Sequence, residues 1–181
     1  MNHCLVAVAA ATSVGFSSVP ISAKDNVLAE PSFESVFHEL SDSSQIAIMP
    51  RENPVQETKV KALGYGGGRS YIMVAGEHCA YQIVGKVRPT FIVRVPSQKT
   101  DPHDYIQFFR LEVAKGKRRF EIARAGAYSV GKSTLHLSQI SFTARAYGAS
   151  SVSFTPEANL VPGEYLLSTT TSPNSYCFAI R

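Results

Sequence analysis

From residue 59 onward, apolar and polar positions alternate with a period of two. The alternation predicts strands over Ser70–Val74, Ala80–Val84, Thr90–Val95, Tyr105–Val113, Arg119–Arg124, Leu135–Ala144, Ser151–Phe154, Tyr165–Thr169 and Tyr176–Ile180. Val, Ile, Phe, Tyr and Thr dominate these stretches, as residues that fit a pleated, half-buried surface. Turn chemistry separates them at Gly76, Gly85 to Pro89, Asp101-Pro102, Lys115-Gly116-Lys117, Tyr147-Gly148, Pro162-Gly163 and Pro173-Asn174. No long helical pattern intervenes, which argues against a parallel sheet with crossover helices. Short strands at roughly ten-residue spacing point to a sandwich or a barrel.

The region before residue 59 reads differently. Phe33, Val36, Phe37 and Leu40 fall at helical spacing behind Ser32, a residue able to cap, so a short helix is predicted over Ser32–Leu40. Ile46–Ile48 reads as a short strand, and Met49 to Thr58, with Pro50 and Pro54, reads as a connector. Near the C-terminal end, Leu160-Val161-Pro162-Gly163-Glu164-Tyr165 has the chemistry of a tyrosine corner. Pro and Gly turn the chain while the Tyr ring packs and its hydroxyl bonds back to the backbone. Together these features predict a mainly β protein: an immunoglobulin-like antiparallel β-sandwich over 59–181, preceded by an acidic segment over 24–58 carrying the short helix and connector.

Residues Leu5 to Phe16 are mostly small and apolar, and Ala23 offers a cleavage point, so 1–23 read as a signal peptide and the protein as periplasmic or secreted. No Lys or Arg precedes Lys24, so the basic start of such a peptide is missing. Cleavage would leave Cys79 and Cys177, which in an exported chain most simply form one disulfide, worth roughly 4 kcal/mol for so long a loop. The alternative is a pair of buried free thiols.

Charge is uneven. Two basic residues face seven acidic ones over 24–58, against sixteen and seven over 59–181. Either the front lies against the body and partly neutralises it, or the body presents a cationic surface to an anionic partner, or the front docks on a partner with the body as a spacer. Within the body, Arg110, Lys115, Lys117, Arg118, Arg119 and Arg124 form the candidate anion-binding surface, with Lys115-Gly116-Lys117-Arg118 as a hairpin tip. Such a tip would attract an anionic envelope polymer such as lipopolysaccharide or a glycan; a plain solvated tip that guards a sheet edge is the competing account. A protein partner is the other expectation, and nucleic acid is not favoured.

One motif imitates catalysis. Gly126-Ala127-Tyr128-Ser129-Val130-Gly131-Lys132-Ser133 matches the phosphate-binding loop at every fixed position, which makes a nucleotide-binding hydrolase the alternative function. That machinery needs a helix after the loop and a second acidic residue for Mg²⁺. The residues after Ser133 are closer to period two, and no Asp follows Asp104. Weaker constellations carry less. Glu77-His78-Cys79 sets a base beside a thiol, but strand neighbours point to opposite faces. Asp101-Pro102-His103-Asp104 reads as a solvated turn, and the histidines lack zinc spacing, so neither a cofactor nor a metal is predicted.

Several short motifs carry a resemblance: Phe109-Arg110-Leu111, Gly116-Lys117-Arg118, Ile140-Ser141-Phe142, the Leu160 to Tyr165 corner and Tyr176-Cys177-Phe178. On these, the stretch from Ala62 to Arg181 resembles small exported bacterial proteins of unknown function with a β-sandwich body. The resemblance implies a fold and a compartment, and brings no catalytic residues. The function expected is a non-enzymatic binding or assembly module of the bacterial cell envelope.

Overall fold

The computed structural model describes residues 29–41, 45–60, 67–125, 133–135 and 139–181. The segment read as a signal peptide lies outside them. Among the described residues, fourteen strands and one short helix follow in chain order: β1 Phe37–Leu40, β2 Ile46–Ile48, β3 Arg51–Glu52, β4 Val55–Val60, β5 Gly68–Ala75, β6 Tyr81–Ile83, β7 Thr90–Arg94, α1 Pro102–Tyr105, β8 Ile106–Ala114, β9 Lys117–Ala125, β10 Ser133–Leu135, β11 Phe142–Tyr147, β12 Ser151–Pro156, β13 Gly163–Thr169 and β14 Ser172–Ile180. The mainly β, antiparallel character expected from the alternation is present.

The strands form a five-stranded sheet, in the order β11-β12-β7-β1-β2, and a nine-stranded one. The larger runs β3-β14-β13-β8-β9-β5-β4, with β10 on β9 and β6 on β14. Within it, β13 and β14 are neighbours, and their period-two alternation explains the packing. Tyr165, Leu167, Tyr176, Phe178 and Ile180 face the five-stranded sheet and meet Phe37, Phe91, Phe142 and Phe154 in the main core. Leu166, Cys177 and Ala179 point the other way, into a second core with Val74, Leu111 and Phe120 from β5, β8 and β9. Both faces of this pair are therefore covered. The main core is aromatic, with Phe91 and Phe178 at 4.8 Å between centroids and Phe37 edge-on to Phe154 at 5.9 Å. Each fully buried Phe contributes roughly 2 kcal/mol.

Several expectations are corrected. No helix forms over Ser32–Leu40; Phe37–Leu40 is a strand paired with β7 and β2. Ser35 adopts φ 59, which interrupts a right-handed helix, and its hydroxyl is held at 2.8 Å by the Tyr105 hydroxyl. Phe37 is 0% exposed, so sheet pairing and core burial override the helical spacing. The connector over 49–58 contains β3 and most of β4, which pairs with β5 and ties Gln56 and Thr58 to the Ser70 hydroxyl. Leu135–Ala144 is divided: β10 joins the larger sheet and β11 the smaller. The acidic front thus supplies strands to both sheets, and the boundary drawn at residue 59 falls inside β4.

Candidate functional site: a polar cleft beside a buried disulfide

The site grows from the corner before β13. The Tyr165 hydroxyl donates to the Val161 carbonyl at 2.6 Å, and its ring stacks on Phe178 at 5.2 Å. Burial raises the phenol's pKa above its ordinary value. Register places Arg110 of β8 opposite Tyr165, and Arg110 Nη2 reaches the Pro162 carbonyl at 3.4 Å. The tyrosine corner therefore orients an exposed guanidinium.

One residue earlier, Glu164 turns to the other face and is 3% exposed. Its Oε2 accepts the Cys79 backbone N–H at 2.7 Å, and its Oε1 accepts from Arg181 Nη2 and lies 3.4 Å from His78 Nδ1. A buried carboxylate needs such partners, because its charge has left water. Parallel pairing of β6 with β14 delivers Cys79 and His78 to this point.

Around these groups opens a cleft of about 1110 Å³. Arg110, Arg181, His78 and Gln82 supply polar groups, Glu112 and Glu164 acidic ones, and Leu111, Val113 and Pro162 an apolar surface. Glu164 neutralises Arg181, whereas Arg110 pairs with no carboxylate among the described residues. The arrangement can hold an anionic group at Arg110 while apolar atoms lie on Leu111 and Val113.

Cys79 and Cys177 form the expected disulfide, with Cα atoms 5.5 Å apart and a sequence separation of 98. The sulfurs and a Glu164 oxygen lie within 4.8 Å of one another. Three such atoms would suit a cation only if the sulfurs were free thiolates. Here the sulfurs are bonded together, Arg118 Nη1 sits 2.8 Å from Cys177 Sγ, and Arg181 holds Glu164. Two guanidiniums at that spot oppose a metal ion.

The cationic cluster read from the sequence is divided by the fold. Arg110, Lys115 and Lys117 are exposed. Arg118 is 2% exposed and belongs to the interior. It donates to the Ala75 and Gly76 carbonyls and to Glu52 Oε1 at 3.2 Å. Arg119 makes two 3.2 Å bonds to Glu112 and lies 4.9 Å over the Tyr71 ring. The Glu112 carboxylate pushes its guanidinium pKa up. Arg124 lies in β9, and its side chain is outside the described residues.

Residues 126–132 of the phosphate-loop match lie outside the described residues; Ser133 begins β10, with Ser133 opposite Ala125 in antiparallel register. A strand, and not the helix a phosphate loop requires, occupies 133–135. Asp101–Asp104 proves structural: Asp101 caps α1 by accepting from His103 N at 2.9 Å, and the His103 ring stacks on Phe142 at 4.7 Å. The sequence reading missed Gln82, Glu164 and Arg181 as members of the cleft. Their signal was weak, because only long-range pairing of β6, β13 and β14 brings them together. Comparisons with protein-family models, with curated proteins and with solved structures found no match.

Proposed function

We propose that the chain is an exported, non-enzymatic binding module of the bacterial cell envelope that holds an anionic polymer through Arg110. The observation that carries this reading is the exposed Arg110 guanidinium, without a carboxylate partner among the described residues, at a cleft with apolar walls. Lys115 and Lys117, exposed at the end of the same strand pair, extend the positive field. The disulfide supports an oxidising compartment. No helix among the described residues is long and apolar enough to cross a membrane.

The test is titration of residues 24–181 with lipopolysaccharide and with a sulfated glycan at stepped salt concentrations. Affinity falls as salt rises, and Arg110→Ala weakens binding about tenfold, the loss of one charge-assisted contact. Lys115→Ala with Lys117→Ala lowers the salt dependence with a smaller loss at fixed salt. Binding insensitive to salt, or an Arg110→Ala variant that binds as well as wild type, rejects the reading.

A further inference from the structure

β4 closes one end of the nine-stranded sheet. It has β5 on one side and, among the described residues, no strand on the other. Five of its six residues are exposed, including Val55 at 65% and Val60 at 67%. A six-residue edge of this kind presents every second N–H and C=O to whatever approaches.

The sequence of this edge is its own complement. It reads Val55-Gln56-Glu57-Thr58-Lys59-Val60. In an antiparallel pair of two copies with a two-fold axis at Thr58, Glu57 stands opposite Lys59 of the other copy, and Lys59 opposite Glu57. Gln56 and Val60 then oppose each other in the same way. Glu57 and Lys59 already share a face within one chain, with Lys59 Nζ 3.2 Å from Glu57 Oε1. Their side chains are 41% and 50% exposed, so both can turn to a second partner. Other registers do worse: an axis at Glu57 or at Lys59 sets like charges directly opposite, which is destabilising.

We infer that β4 is the docking surface for a second copy of this chain, joining two nine-stranded sheets edge to edge through Glu57–Lys59 pairs. Specificity comes from charge order along the edge, and affinity from the backbone ladder. A single added strand pair is a small contact by the standard of stable interfaces, so the dimer is weak, with a dissociation constant on the order of 10–100 μM.

Sedimentation of the full chain over a range of concentrations tests this, with circular dichroism to verify folding of each variant. Wild type forms a reversible dimer. Glu57→Lys and Lys59→Glu, each of which sets like charges opposite one another, weaken it about tenfold or more. Mixing the two single variants restores association as a heterodimer, and the double variant Glu57→Lys/Lys59→Glu dimerises again, since both restore opposite pairs. A wild-type chain that stays monomeric at the highest concentration overturns the inference. So does a dimer indifferent to both charge changes, or failure of the mixed variants to associate.

Discussion

His38 shows how much a single position can differ from its sequence appearance. It sits on a strand, is 7% exposed, and its Nδ1 has no hydrogen-bond partner among the described residues. Burial lowers its pKa below the usual histidine value. The unfolded chain therefore binds a proton more readily than the folded one. Stability is fully present above the unfolded value of about 6.5 and falls as pH drops through it toward the folded pKa. A lower Tm at pH of about 5.5 than at about 7.5 is expected, and His38→Leu should flatten that difference and raise Tm. Unchanged pH dependence in the variant would show that other groups cause it. Glu30 titrates in a separate window: burial raises its pKa, but bonds from Ser151, Ala149 and Ser150 outweigh that and leave it lowered. Its contribution is lost only on acidification below about 4.5. Arg118 carries the same lesson as His38. Composition suggested a surface cation; the register opposite Val113 and Val74 sends it beneath the sheet to Glu52 and Cys177.

At the scale of elements, the β8–β9 hairpin was legible because its turn has local chemistry. Lys115 at φ 54 and Gly116 at φ 74 form a two-residue turn with both residues left-handed, the type that matches strand twist. Glycine meets that demand freely, whereas lysine is strained there by about 1 kcal/mol. Lys115→Asn should therefore stabilise the protein by up to about 1 kcal/mol in urea unfolding, with the midpoint shifted and the slope unchanged. A destabilised variant would mean that the Lys115 side chain makes a contact that outweighs its backbone strain. Strands β5, β7, β8, β13 and β14 were also visible, since buried alternation is a strong signal. β1 and β4 were not. β1 is short and its apolar spacing happens to suit a helix, and β4 is a polar edge whose pairing partner, β5, is not announced by its own residues.

For the whole molecule, the corner and the cysteines were readable as a β fold with one bridge, but the layering was not. Nothing local says that β13 and β14 are covered twice, or that the acidic front enters both sheets. Cys79–Cys177 ties the loop before β6 to a strand at the centre of these layers. Replacing both cysteines with alanine should lower unfolding free energy by about 4 kcal/mol, measured as a drop in urea midpoint matched by wild type under reductant. A midpoint within error of wild type would mean that the packed second core holds without the bridge. The position of β14 also orders events in time. It pairs with β3, β6 and β13, and its residues complete both cores. A nascent chain that has exposed only its first 170 residues lacks the strand on which three others assemble, so neither core can close. Folding then waits on long-range pairing, which belongs to the slow class, and until β14 is available the strands that flank it have no ladder to join.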